Sequence, residues 1–342
     1  MRRFTLVLTL VLVSCPLYGQ ERGAAERKKR EEAVERALAF LKIMQEADGS
    51  WQVFAQKHTA VSALAVMSFL SAGHVPGEGP YGEVVEKGVR WVLKQQQPSG
   101  LFATEPGLEM YHHGICTLLL AEVTGMVDAA TSKELRPKLE KAVAVILKAQ
   151  VQETQSRTYQ GGWRYRVDST DADLSVSGWQ ILALRAAKNV GCDIPAERIE
   201  QALEFVKRCR DNSGGFCYFP GNRVTKACTG TAILMLELAG KDLHHSREAL
   251  QAGSYLLKHP LQFGDEHFFY AVYYSSQAMF QLGGNYHRFW EPQIQQLLYQ
   301  YQQPNGSWIG NDGYGPIYAT TMALLALTVE YRFLPIYQRE EK

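Results

Sequence analysis

Three aspartates, Asp168, Asp171 and Asp173, fall within the segment GGWRYRVDSTDADLSVSGWQ, residues 161–180, directly before an apolar run. Carboxylates crowded together cannot all ionise, so one can be held protonated and act as an acid. The same residues at a helix start have a second use. Asp and Ser side chains accept from the first free N–H groups, and the helix dipole favours a carboxylate there. The residues alone leave both readings open. A second set lies in YHHGIC, where His112 and Cys116 are four apart and share a helix face. Zinc accepts such ligands, but no third or fourth can be assigned, and a small buried Cys is a common core residue. No metal or cofactor is expected. A third set is Asp265 and Glu266, acidic partners for glycan chemistry if a carboxylate faces them across a cavity.

The elements that must position these residues repeat along the chain. Short glycine-aromatic phrases recur, ending at Trp51, Phe102, Trp163, Phe216 and Trp308, with a weaker QFGDEHFFY where another is due. The spacing, roughly 50 to 60 residues, accommodates two helices and two loops. Before each phrase stands an amphipathic pattern: EEAVERALAFLKIMQ, YGEVVEKGVRWVLKQQQ, SKELRPKLEKAVAVILKAQ, AERIEQALEFVKRCR, SREALQAGSYLLKH and EPQIQQLLYQYQQ. Ser132 with Glu134, and Ser246 with Glu248, suggest acid-rich first turns. After each phrase stands a run that is apolar or small on nearly every side, from HTAVSALAVMSFL to IYATTMALLALTV. A helix without a polar face is buried all round. Each repeat thus supplies one outer and one inner helix. The sequence predicts an all-α fold, an (α/α)6 toroid of two concentric rings over residues 24–342. In each phrase the Gly ends the outer helix with a positive φ and the ring fills the gap between repeats, a structural role.

Composition narrows the function classes. The 342 residues carry 36 Lys and Arg against 35 Asp and Glu, a net charge of +1. No global field favours nucleic acid. The chain opens MRRFTLVLTLVLVSCPLYGQ, with a basic start and a short apolar core. That reads as a signal peptide over residues 1–19 and implies an exported, periplasmic or secreted protein. LVSC also offers Cys15 as a lipid anchor point. Six cysteines in a chain this long do not make a disulfide framework, although Cys209 and Cys217 are a conceivable pair.

RALAFLKIMQEADGSW, Arg36 to Trp51, resembles the QW motif of squalene-hopene and oxidosqualene cyclases throughout, and KGVRWVLKQQQPSGLF matches with Phe102 in the final place. The fourth repeat has Arg210 in place of Gln, the sixth keeps Gln302 to Trp308, the third carries an insertion between Gln150 and Gly161, and the fifth has degenerated. The resemblance covers the whole mature chain and places it with the terpenoid cyclase and protein prenyltransferase α/α toroids. Relatives with this fold differ in chemistry, so fold does not settle function. The thioester phrase of complement domains is missing. So are the Asp-any-Cys pair and the helix-borne His of prenyltransferases, where Ala271 stands. Against the acidic phrase of squalene-hopene cyclases the chain reads DADLSV. The resemblance implies Asp173 as the acid that protonates an alkene and Asp171 as its neighbour, but Leu174 replaces the third carboxylate. Cyclases of this kind place their cavity between two toroids, and this chain has one.

The expected function is ligand binding in or at the central cavity. The ligand is an apolar lipid or isoprenoid, or a polar periplasmic molecule, met by inner-helix starts that offer His58, His113, Tyr165, Lys226, Tyr270, Tyr273 and Tyr318. The alternatives are a terpene cyclase using Asp173 on a polyprenyl substrate, and a carbohydrate-active toroid.

Overall fold

A computed structural model describes residues 16–238 and 243–338, with side chains from residue 23 onward. The described residues form twelve α-helices that alternate between two rings. The outer helices are α1 (Pro16–Ile43), α3 (Gly82–Lys94), α5 (Ala129–Ala149), α7 (Ala196–Arg208), α9 (Arg247–Lys258) and α11 (Gly284–Tyr301). The inner ones are α2 (Thr59–Ser71), α4 (Glu109–Glu122), α6 (Leu174–Asn189), α8 (Lys226–Leu238), α10 (Phe268–Leu282) and α12 (Gly315–Leu327). Every residue of α2 is buried, whereas α7 buries one stripe of Ile199, Ala202, Leu203, Phe205 and Val206. The inner ring runs α2, α4, α6, α8, α10, α12 and returns to α2, so the toroid closes on itself. No helix among the described residues is long and apolar enough to cross a membrane.

The repeated phrase works as a joint between neighbouring repeats. Gly49, Gly100, Gly161 and Gly306 all have φ between 88° and 95°. A Cβ at these positions would stand 2.4, 2.8, 2.0 and 2.2 Å from the carbonyl oxygens of Lys87, Lys141, Gln201 and Arg36. Each of those carbonyls belongs to the next outer helix, so only glycine permits the approach. The preceding glutamine completes the joint. Gln45, Gln96, Gln150 and Gln302 each donate from Nε2 to the glycine carbonyl and to a carbonyl of the next outer helix. For Gln302 that partner is Ala33 O at 2.9 Å, which joins the last repeat to the first. In the fourth repeat Arg210 bonds Gln251 of α9 instead.

The aromatic residues are fully buried in the same joints. Trp51, Trp163 and Trp308 donate from Nε1, each at 2.8 Å, to Leu41 O, Ile146 O and Leu298 O of their own outer helices. Their backbone N–H groups donate to inner-helix hydroxyls: Trp51 to Ser62, Trp163 to Ser177 and Trp308 to Thr320. Phe216 N–H donates likewise to Thr229 Oγ1. Phe102 N–H donates to His113 Nδ1 at 3.1 Å.

Some boundaries differ from the sequence reading. Helix α5 starts at Ala129, capped by Asp128 rather than Ser132, because the Asp128 carboxylate accepts from the Ala130 and Thr131 amides. Ser246 does cap α9, accepting from Ala249 N–H. Helix α11 begins at Gly284, with Gly283 alone between it and the end of α10, and carries Pro292 inside it. Two small antiparallel hairpins were not foreseen: β1 (Gln52–Val53) with β2 (Gln56–Lys57), and β3 (Phe216–Cys217) with β4 (Val224–Thr225). Cys116, Cys192, Cys209, Cys217 and Cys228 are buried free thiols, so Cys209 and Cys217 are not bridged. Of the expected signal segment, residues 1–15 lie outside the described residues, Cys15 among them.

The chain end closes one side of the ring. A 3-10 turn at Pro335–Tyr337 crosses the C-terminal ends of the inner helices. Ile336 N–H donates to both carboxylate oxygens of Glu122 at 3.2 Å. Tyr337 O accepts from Gln281 Nε2, and the Tyr337 hydroxyl bonds that of Tyr273 at 2.5 Å.

Candidate functional site

The inner ring encloses a cavity of about 660 Å³ that opens at the N-terminal ends of the inner helices. Its depth is apolar, built from Leu64, Ile115, Trp179 and Met322. Its walls carry the rings of Tyr111, Tyr165, Tyr218, Tyr270, Tyr314 and Tyr318. Its rim carries Glu105, Arg223, Lys226, Asp265, Glu266 and His267. The layering follows from the helices. Small and aliphatic residues in the middle turns pack the ring, while the first turns and the loops before them supply tyrosines and charges.

The three aspartates divide. Asp168 pairs with Arg166 in the loop. Asp171 is 49% exposed and stands 3.6 Å from Arg164 Nε. Asp173 has a fully buried side chain and caps α6. Its Oδ1 accepts from Val176 N–H at 2.9 Å and from Ser175 Oγ at 2.6 Å. Its Oδ2 is buried with no hydrogen bond, with Arg164 Nε 3.6 Å away. Burial lifts this carboxyl to about 6, against the opposing pull of Ser175, the Val176 amide, Arg164 and the Tyr218 hydroxyl. Neither Asp171 nor Asp173 lines the cavity. Ser175 and Tyr111 stand between, and the Tyr111 hydroxyl bonds Ser175 Oγ.

At the first and second repeats, His58 and His112 lie with ring centroids 4.3 Å apart. Glu105 Oε2 stands 3.5 Å from His58 Nε2 and 3.7 Å from His112 Nε2. His58 caps α2 by accepting the Val61 amide on Nδ1. Its Nε2 therefore carries the ring proton and faces Glu105 as a donor. A metal would need the opposite tautomer and would break the cap, so the trio reads as two imidazoles around a carboxylate. Burial lowers His58 to about 4, and burial together with the neighbouring His58 lowers His112 to about 3. Both are neutral at neutral pH.

The rim is organised by charge. Lys226 Nζ pairs with Asp265 Oδ2 at 2.8 Å and donates to Pro260 O. Arg223 pairs with Glu266. Deeper in, Asp312 has a side chain 4% exposed. Neither of its carboxylate oxygens has a hydrogen-bond partner among the described residues. Burial raises its pKa; the His267 ring and the Phe269 amide oppose that rise without making a bond of normal geometry.

Of the residues expected to meet a ligand, the structure brings His58, Tyr165, Lys226, Tyr270 and Tyr318 together on the cavity wall. Two are corrected. His113 is fully buried in the second joint, and its Nε2 donates to Ala142 O at 2.9 Å, so both ring nitrogens are engaged. Tyr273 stacks behind Trp179 at 5.3 Å and bonds Tyr337, outside the cavity. The glycan partners Asp265 and Glu266 line the rim, each tied in an ion pair. The sequence reading missed Asp312, Tyr218 and Arg223. The only signal for Asp312 was an acid a few residues ahead of an inner helix, in SWIGNDGYGPIY.

The model of the family described as the prenyltransferase alpha-alpha toroid domain matches residues 4–170, 164–260 and 248–341. No curated protein matches the chain in sequence. Among solved structures, the type II terpene cyclase MstE from Scytonema is similar with a TM-score of 0.60 at 16% identity, over 90% of this chain and 99% of that one. Another structure of that cyclase holds geranylgeranyl dihydroxybenzoate as substrate. Cellobiose 2-epimerase from Bacillus thermoamylovorans is similar with a TM-score of 0.65 at 10% identity, over 90% of this chain and 100% of that one. A possible glycoside hydrolase family 105 member from Salmonella enterica gives 0.58 at 13%, over 90% and 94%. These likenesses are of fold. They also correct one expectation, because a type II terpene cyclase is matched along 99% of its length by a single toroid.

Proposed function

The chain belongs to the prenyltransferase α/α-toroid family, and from that footing we propose that it is an exported toroid that binds an apolar-bodied lipid or isoprenoid in its central cavity. The observation that carries this reading is the cavity itself. It has one closed end, an apolar depth at Leu64, Ile115 and Met322, aromatic walls and a polar rim. At about 660 Å³ it falls in the range of small-molecule sites, roughly 300–1,000 Å³. Burying an alkyl chain there is favourable by about 0.8 kcal/mol per methylene. The isoprenoid substrate of the Scytonema cyclase, held by a protein of like fold, is consistent with such a body. Export rests on the basic, apolar start of the sequence.

The test is organic extraction of the natively exported protein and mass spectrometry of the extract. A stoichiometric lipid or isoprenoid is expected. A protein that yields none, and leaves added 1-octanol unbound, overturns the reading.

A second reading, a terpene cyclase with Asp173 as general acid on a polyprenyl substrate, is favoured by one observation. Among the described residues Asp173 Oδ2 is buried with no hydrogen bond of normal geometry, facing Arg164 at 3.6 Å, and burial lifts its carboxyl to about 6. The proton would have to reach the cavity past Ser175 and Tyr111. On this reading Asp173→Asn abolishes polyprenyl turnover with the fold intact, and retained turnover excludes it.

A further inference from the structure

The cavity is electrically unbalanced. Glu105, Asp265, Glu266 and Asp312 face Arg223 and Lys226, four acids against two permanently charged bases. Both bases are used: Lys226 holds Asp265 and Arg223 holds Glu266. Among the described residues Glu105 pairs with His58 and His112, and burial keeps both rings neutral. Asp312 has less. His267 Nδ1 is 3.9 Å from its Oδ1, outside hydrogen-bond reach, on a ring that is 64% exposed.

An orphaned buried carboxylate is costly and calls for a partner. Glu105 is 43% exposed, so water can serve it. The side chain of Asp312 is shut away from bulk water and lies on the cavity wall. Tyr314 and Tyr318 line the same part of the cavity. Their ring centroids lie 5.3 Å apart, and both phenols feel the charge of Asp312. A carboxylate on a wall shared with tyrosine rings is the surrounding that an organic cation prefers, with a charge-assisted hydrogen bond to the carboxylate and aromatic rings close by.

We infer that Asp312, with Tyr314 and Tyr318, is the head-group site of the cavity, and that it takes a ligand with an ammonium head on an apolar body. This deepens the lipid-binding reading and rests on it. The apolar depth takes the chain, and Asp312 takes the one hydrogen-bonding cation. An anionic head in the same place would stand against an unpaired carboxylate.

The experiment titrates the purified full chain, by calorimetry, with three probes that share an eight-carbon tail: octylammonium, 1-octanol and octanoate. Octylammonium is expected to bind about tenfold or more tighter than 1-octanol, with octanoate weakest. Asp312→Asn should bring octylammonium down to about the octanol level, with a circular-dichroism melt reporting that the variant folds. Equal affinity for the three heads, octanoate first, or a preference that survives in Asp312→Asn overturns the head-group site while leaving the cavity reading in place. The wild-type series decides the matter even if the variant does not fold. Failure of all three probes to bind overturns both readings together.

Discussion

The amide of Phe102 donates to His113 Nδ1 at 3.1 Å, in the place where Trp51, Trp163, Phe216 and Trp308 donate to Ser62, Ser177, Thr229 and Thr320. His113 is thus the second repeat's version of a conserved-in-place acceptor within this one chain, enlarged so that Nε2 also ties Ala142 of α5. Burial depresses it to about 4 from an ordinary value of 6.5. The folded state holds this ring neutral where the unfolded chain begins to bind a proton. Its contribution is fully present above 6.5 and is lost as pH falls toward 4. Urea melts of the wild type at pH 7 and pH 5 should show a loss on acidification to which His113 adds roughly 1–2 kcal/mol. His113→Ser should keep the Phe102 bond and flatten that slope. An unchanged slope removes His113 from the account.

Trp51 and Trp308 fill the joints on either side of the first repeat, each with no exposed surface and with its indole N–H satisfied. Trp51→Ala and Trp308→Ala should each cost about 3–5 kcal/mol in denaturant melts. A loss under about 1 kcal/mol would place the rings at the edge of the structure rather than in its joints.

Gly306 closes the ring, since its Cα sits against the Arg36 carbonyl of α1 and a Cβ there would stand 2.2 Å from that oxygen. Gly306→Ala combines this clash with a φ of 89°, and should destabilise by about 2 kcal/mol or more. Gly221 has a similar φ of 81° with nothing within 4 Å, so Gly221→Ala isolates the backbone term. Equal losses for the two variants would show that closure does not depend on this contact.

Glu122 is buried under the chain end and its carboxyl is raised to about 8 from 4.5 by burial, with the Ile336 amide opposing. A raised carboxyl keeps its proton in the folded state after the unfolded state has released it. Stability is then greatest below about 4.5 and falls as pH rises through 8. Glu122→Gln keeps an acceptor for Ile336 and removes the ionisation. It should be more stable than wild type by roughly 1–3 kcal/mol above pH 8, with the advantage shrinking toward pH 5. A difference that stays constant across that range would mean that Glu122 does not titrate in it.

The sequence by itself determined the toroid. Helical period, wet or dry face and the glycine-aromatic phrase are local properties, repeated along the chain, and each copy reinforces the others. The joints were legible for the same reason: the glutamine, glycine and tryptophan of one phrase all act within a few residues of each other and on the next copy of the same helix. What the sequence could not decide was which polar groups face the cavity. Asp173 and Asp312 both precede an inner helix, yet one turns inward to cap α6 and the other points along the cavity wall. His58 and His113 both lie near inner-helix starts, but one reaches the rim while the other fills a joint. The difference is set by how far each helix is rotated in the ring and by which neighbour stands opposite. Only the closed tertiary structure fixes those two quantities, because they depend on contacts between repeats far apart in the chain.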